Sequence, residues 1–195
     1  MTMDEISLDL IKMAERHAIP VTLVLLASLI ILYLNRERIK RSWLNIKTNF
    51  RLRRLGFKQV ANFRCPDGMG HHFVIDRLIL RRDGITLLMY KKFPGMIYCA
   101  EEIDDWTQML GQQSYRFKNP LYELDQQVKA VSACVPGVSV NGLLFFDHQA
   151  EFPKGHPDSV IYLKNIPEGL KPAKGEEVDG PVVSAWENLL QMAKV

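Results

Sequence analysis

The chain reads as an α/β protein, a mixed sheet flanked by helices, preceded by one transmembrane helix and a basic linker helix. Three observations predict this. Ala18 to Leu34 runs without a charge and ends abruptly at Arg36, Arg38, Lys40 and Arg41. From Arg36 to about Leu55 apolar residues recur at helical steps. After Gly56 the pattern changes to short apolar runs separated by turn residues, with one marked helix start at Asn119-Pro120.

The uncharged run comes first. At about 1.5 Å per helical residue it spans roughly 25 Å, slightly short of a hydrocarbon core. Tyr33 at headgroup level and the snorkelling stems of Arg36 and Arg38 close the difference. Pro20 suits the first turn of such a helix. The alternative is a buried core helix, against which the complete polar exclusion and the basic boundary argue. A cleaved signal peptide is disfavoured, because Asp4, Glu5, Asp9, Lys12, Glu15 and Arg16 make no basic leader and no small-x-small site follows.

Charge asymmetry sets the expected orientation. Between Asn35 and Arg64 there are ten Lys and Arg against the single acid Glu37. Basic flanks stay in the cytoplasm, so the expectation is a single pass through a bacterial-type inner membrane, N-terminus outside and main domain cytoplasmic. Four regions follow: an amphipathic, periplasmic segment over 1–17, with Ile6, Leu10, Met13 and His17 at helical spacing; a transmembrane helix over 18–34; a basic juxtamembrane helix over 35–56; and a cytoplasmic domain over 57–195.

Composition bounds the rest. The 195 residues leave enough chain behind the basic stretch for a single hydrophobic core. The net charge of +3 conceals that stretch, so the remainder is net acidic, unlike a uniformly basic nucleic-acid binder. Cys65, Cys99 and Cys134 are odd in number and form no C-x-x-C pair. They suit a reducing compartment and argue against a disulfide framework or a zinc site, which leaves them as small buried apolar residues.

In the linker helix Ile39, Trp43, Ile46 and Phe50 form one apolar stripe, while Lys40, Lys47, Arg51 and Arg54 occupy another face. The helix is expected either to pack its stripe on the following domain and solvate its bases, or to touch anionic headgroups with its basic face. With Arg36, Arg38 and Arg41 these bases make a membrane-interface or polyanion-binding face, each worth around 1 kcal/mol near anionic headgroups. Nucleic-acid phosphate is the third acceptor of such a face.

Past Gly56, Phe57 to Arg64 alternates loosely and Cys65-Pro66-Asp67-Gly68 supplies a turn. Phe73 to Leu80 is a strongly apolar strand, Arg81 to Gly84 turns it, and Ile85 to Lys91 returns. Asp83-Gly84 is the strongest hairpin signal in the chain. A third strand is expected at about Gly95 to Cys99. Strands apolar on both faces predict a sheet covered on both sides. Asn119 caps a helix with Pro120 at its first position and Leu121, Leu124, Val128 and Val131 at helical spacing; Pro136-Gly137 ends it. Val140 to Phe146 reads as a further buried strand and Ser159 to Leu163 as a short one. Asp147 to Pro181 is rich in Pro, Gly and charge and predicts loops. A last helix from about Val182 carries Val183, Trp186 and Leu190 on one side.

The residues with chemical potential are Asp76 and Lys91. Strand alternation puts Asp76 on the side of Val74 and Leu78, where an ionised carboxylate must be paired, hydrogen-bonded or metal-bound. Lys91 shares its face with Met89 and Leu87 on the partner strand. An acid and a lysine on the two strands of a hairpin can meet, either as a structural ion pair or as a metal ligand beside a cation for phosphodiester hydrolysis.

Val60-Ala-Asn-Phe-Arg-Cys-Pro, Val74-Ile-Asp76-Arg-Leu-Ile-Leu, Asp83-Gly-Ile-Thr-Leu-Leu-Met-Tyr-Lys91, Asp105-Trp-Thr-Gln108 and Phe117-Lys-Asn119-Pro-Leu121, in this order, resemble the nuclease-related domain (NERD) family over roughly Ile39 to Leu163. The resemblance implies a restriction-endonuclease-like fold, and it implies Asp76, Lys91 and Gln108 as the remnant of a catalytic set. The departures matter as much. The family places a Glu two residues before the lysine, where this chain has Met89, and a thioether is no substitute for a hard oxygen ligand to magnesium. The early helix of the family carries a Gly-Glu pair, whereas 45–53 here holds no acid. The glutamine after Asn-Pro-Leu is replaced by Glu123, and the nearby histidine by Gln127. No metal site is therefore expected, and the remnant reads as weakly active or inactive.

Other residues offer little rescue. Glu101, Glu102, Asp104 and Asp105 would need a rearrangement to bring a carboxylate to Asp76; consecutive acids before Trp106 suit a solvated loop. His71 and His72, adjacent on a strand, point to opposite faces. Two functions follow as expectations. One is a membrane-anchored protein whose degenerate nuclease-like domain binds or scaffolds other proteins in a membrane-associated assembly, without a cofactor. The other is a membrane-tethered, magnesium-dependent DNA nuclease or DNA-binding protein. Fold alone does not choose between them.

Overall fold

The computed structural model describes residues 3–66, 72–163, 165–173 and 175–192, with side chains described from Leu26 onward. The first 47 residues and Thr48–Val195 form two compact units. Where the sequence suggests separate outer, membrane and linker helices, there is one helix, α1, over Met3–Leu52. Pro20 consequently lies inside it and not at a first turn. Among the described residues no helix is long and apolar enough to cross a membrane. The side chains of Ala18 to Leu25 in the expected anchor, and of all of 1–17, lie outside the described residues.

The apolar stripe on α1 is exposed. Ile39, Trp43, Ile46 and Phe50 all present surface, Trp43 at 69 %. The residues that α1 buries are further along, Leu52 and Leu55 at and just past its end. Gly56 turns the chain there with a φ of 64°, and a Cβ on it would collide with the Ile79 side chain and the Leu80 carbonyl. Only glycine combines that conformation with so close an approach.

A five-stranded sheet forms the centre of the second unit, in the order β1-β2-β3-β7-β9. β1 (Lys58–Pro66), β2 (His72–Leu80) and β3 (Gly84–Lys91) run antiparallel, whereas β7 (Ser139–Phe146) lies parallel to β3 and β9 (Val160–Ile161) parallel to β7. The expected hairpin is present, closed by Arg81 N–H donating to the Gly84 carbonyl at 2.8 Å. Of the turn expected at 65–68, Cys65 and Pro66 belong to β1, and Asp67 to His71 lie outside the described residues.

Both sheet faces are covered, because β3 is apolar on both. Ile85, Leu87 and Met89 point into the larger core with Leu124 and Val131 of α2 (Pro120–Cys134) and Val182, Trp186 and Leu189 of α3 (Gly180–Met192). Leu88 points the other way, into a smaller core with Leu52, Leu55, Ile79, Phe145, Ile161 and Leu170. The buried line of α3 is thus Val182, Trp186 and Leu189; Val183 and Leu190, assigned to it from spacing, are only partly covered. α2 begins as its sequence predicts, with the Asn119 side chain accepting from Leu121 N–H at 2.9 Å and Pro120 following. It lies close on β7, where a Cβ at Gly142 would come within 2.8 Å of both Leu124 and Val128.

A second sheet, β6-β5-β4-β8, is not apparent in the sequence pattern beyond its strand β4 (Gly95–Tyr98). β5 (Asp105–Leu110) and β6 (Gln113–Lys118) make a hairpin beside β4, and β8 (Ala150–Glu151) pairs on the far side. Aromatic rings join this sheet to the main core: Phe93 to Phe117 at 4.4 Å between centroids, Trp106 to Phe146 at 6.3 Å.

Candidate functional site

Asp76 sits where β2 parts from β3. The ladder between them pairs Arg77 with Leu88 as its last rung, and one step on the Asp76 carboxylate accepts from the Tyr90 N–H at 2.7 Å. A side chain thereby satisfies a donor that a strand carbonyl would otherwise take. The face expected for Asp76 is corrected. Val74 is 51 % exposed while Leu78 is fully buried, so these two do not share a side. The alternation shifts across this point: Ile75 is buried before it, Leu78 and Leu80 after it. Opposite, between the pairs Ala61–Arg77 and Phe63–Ile75, Asn62 has a φ of 51°. Such a residue breaks strand regularity and lets the buried side change.

Beside Asp76 lies a chain of polar contacts that no sequence pattern marks. Arg77 donates to the Gln59 side-chain oxygen at 2.8 Å and lies over the Tyr90 ring at 5.8 Å. Gln59 in turn donates from its amide nitrogen to the carbonyls of Leu52 and Leu55, capping the end of α1. Burial raises the Tyr90 phenol above its ordinary range, with Arg77 opposing that shift and Asp76 adding to it.

Lys91 and Asp76 do not pair with each other. The Lys91 ammonium lies 3.0 Å from the Glu123 carboxylate, in the first turn of α2, with the lysine side chain 23 % exposed. Together they edge a groove of about 410 Å³, walled by Phe93, Phe117, Lys118 and Tyr122. Met89, two residues before the lysine, is 4 % exposed and belongs to the larger core. Its sulfur occupies a packing position, and neighbouring side chains there are apolar.

Gln108 lies on β5, in the second sheet, and does not line that groove. It is buried, and its amide donates to the Pro94 carbonyl at 2.7 Å, tying β5 to the start of β4. The acids before Trp106 are held elsewhere too. Asp104 accepts from the Tyr122 hydroxyl at 2.9 Å and Asp105 pairs with Lys118 at 2.9 Å. These contacts raise the pKa of Tyr122 and of Lys118, in each case chiefly through the hydrogen bond to the acid. Asn119 donates to the Glu101 and Ile103 carbonyls, fixing the turn onto the start of α2. His72 is exposed at the start of β2, and His71 lies outside the described residues.

The Asp76 carboxylate accepts from Tyr90 N–H, Met89 is packed in the larger core, and the Lys91 amine is engaged by Glu123. Among the described residues no group of three His, Cys, Asp or Glu could hold a metal ion. Of the basic face, Arg36, Arg38, Lys40, Arg41 and Lys47 are exposed on α1 in the first unit, and Arg51 and Arg54 are exposed in the second. Arg36 pairs with Glu37 at 3.8 Å and covers the Tyr33 ring. All three cysteines are thiols; Cys65 is buried, and Cys99 and Cys134 are partly so.

A family described as nuclease-related domain matches residues 37–147. No curated protein and no solved structure matches the chain.

Proposed function

The chain belongs to the nuclease-related domain family, and from that membership we propose that it is a membrane-anchored protein whose degenerate nuclease-like domain serves as a binding or scaffolding subunit of a membrane-associated assembly. The observation that carries this reading is the fate of the metal-ligand position. Met89 is packed into the core two residues before Lys91, while Asp76 and Lys91 are each engaged by other groups. A lysine paired with a helix carboxylate and an aspartate bonded to a backbone amide are structural parts. Neither is poised to bind a phosphodiester or a divalent cation.

The uncharged run over 18–34 and the basic flank after it support the anchor, with the bilayer as one partner and the basic face from Arg36 to Arg54 at its cytoplasmic surface. A magnesium-dependent nuclease or DNA-binding protein is the second reading, supported by the retention of Asp76 within β2 and Lys91 at the end of the adjacent β3. One experiment separates the two. Full-length protein in detergent is incubated with plasmid and magnesium or manganese. The scaffold reading expects no cutting above that of Asp76→Ala and Lys91→Ala. It also expects a heteromeric complex on gentle extraction. Metal-dependent cutting abolished by both substitutions would establish the nuclease instead.

A further inference from the structure

Beside the end of α1, apart from the Lys91 groove, the second unit has another cavity of about 660 Å³, within the size range of small-molecule sites. Its charged lining is Arg51, Arg54 and Lys171, with no acid among the lining residues. Its remaining wall is aliphatic, chiefly Leu163, Ile166 and Pro172. None of the three cations forms an ion pair among the described residues. Arg51 donates to the Leu163 carbonyl at 3.4 Å, leaving most of its donors free, and Arg54 lies over the Phe50 ring at 4.7 Å.

Bases in the last turn of a helix usually serve its terminal carbonyls. Here the Leu52 and Leu55 carbonyls already accept from Gln59, so that duty is filled. Three converging cations suit a phosphate, which arginine binds through several donors at once. An aliphatic wall without an aromatic ring offers no platform for a nucleobase, but it suits an alkyl chain.

We propose that this groove binds a phosphate group carried on an aliphatic chain, the phosphate among Arg51, Arg54 and Lys171 and the chain along Leu163, Ile166 and Pro172. The assignment deepens the polyanion reading of the basic helix by giving two of its residues a ligand class. It rests on that reading but does not require the anchor.

The test uses the full chain in neutral detergent and isothermal titration with dihexanoyl phosphatidic acid, hexyl phosphate, inorganic phosphate, dihexanoyl phosphatidylcholine and a short single-stranded oligonucleotide. Saturable binding of either alkyl phosphate, at least tenfold tighter than inorganic phosphate and phosphatidylcholine, is the expected result. Preference for the phosphatidic acid identifies a membrane lipid as the source, and preference for hexyl phosphate identifies a soluble one. R54Q and K171Q should each weaken binding at least tenfold without changing the melting temperature. Equal binding of inorganic phosphate, tighter binding of the oligonucleotide, unchanged affinity in both variants or no saturable binding would each overturn the proposal. Alkaline extraction of membranes holding the same proteins tests the anchor separately. Loss of ligand with retention in the membrane fails only the groove, and release of the parent protein fails only the anchor.

Discussion

The Asp76 carboxylate accepts the Tyr90 backbone N–H at 2.7 Å, at the point where the β2–β3 ladder ends. Asp76 thus works as a strand fastener. Asp76→Ala should lower stability by about 1–3 kcal/mol, the cost of leaving that amide without its charged acceptor. Urea unfolding of the variant measures this. A change below about 0.5 kcal/mol would show the contact to be dispensable.

Gln108 has a structural task as well. Gln108→Ala removes its bond to the Pro94 carbonyl from a buried site and should cost about 1–2 kcal/mol. Hydrogen exchange should speed up in β4 and β5 while β7 is unaffected.

The Lys91–Glu123 pair lies at the edge of a groove and is well solvated on the glutamate side. Its coupling in a double-mutant cycle with Lys91→Met and Glu123→Gln should be under about 1 kcal/mol. A coupling of several kcal/mol would mean that the pair is far more enclosed.

At Gly142 the space is already filled by Leu124 and Val128. Gly142→Val should destabilise by about 1–3 kcal/mol or more through overpacking between α2 and β7. Truncating the neighbour in Gly142→Val/Val128→Ala should recover part of the loss.

Thiol titration gives a pH signature. Burial pushes Cys65 from 9.0 up to about 12, with the neighbouring Cys134 adding to the shift, and burial raises Cys99 to about 11. The unfolded thiols lose their protons first, so this contribution is intact below pH 9 and declines as pH rises towards 12. Urea midpoints should therefore fall from pH 9 to pH 11, and by less in Cys65→Ala/Cys99→Ala. Cys65 should also resist a thiol reagent at pH 8 until the chain unfolds.

Much of this architecture is legible from residues alone. Asp83-Gly84 sets the hairpin, Asn119-Pro120 starts α2, and the apolar runs before and after them become β2, β3 and β7. The β5–β6 hairpin is hidden because Gln113 to Lys118 is polar and mostly exposed, so alternation has little contrast there. The side of Asp76 could not be read, since Asn62, on a different strand, is where the regular period breaks. The groove partner of Lys91, Glu123, stands 32 residues away in the chain, where no local pattern pairs the two. Lys171 lies in a loop without any pattern to mark it.

Gln59 reaches two ways at once, to the carbonyls ending α1 and, through Arg77, to the neighbour of Asp76. A single amide therefore fastens the last turn of α1 to the strand corner. Losing that one amide would loosen the helix end and the strand corner together.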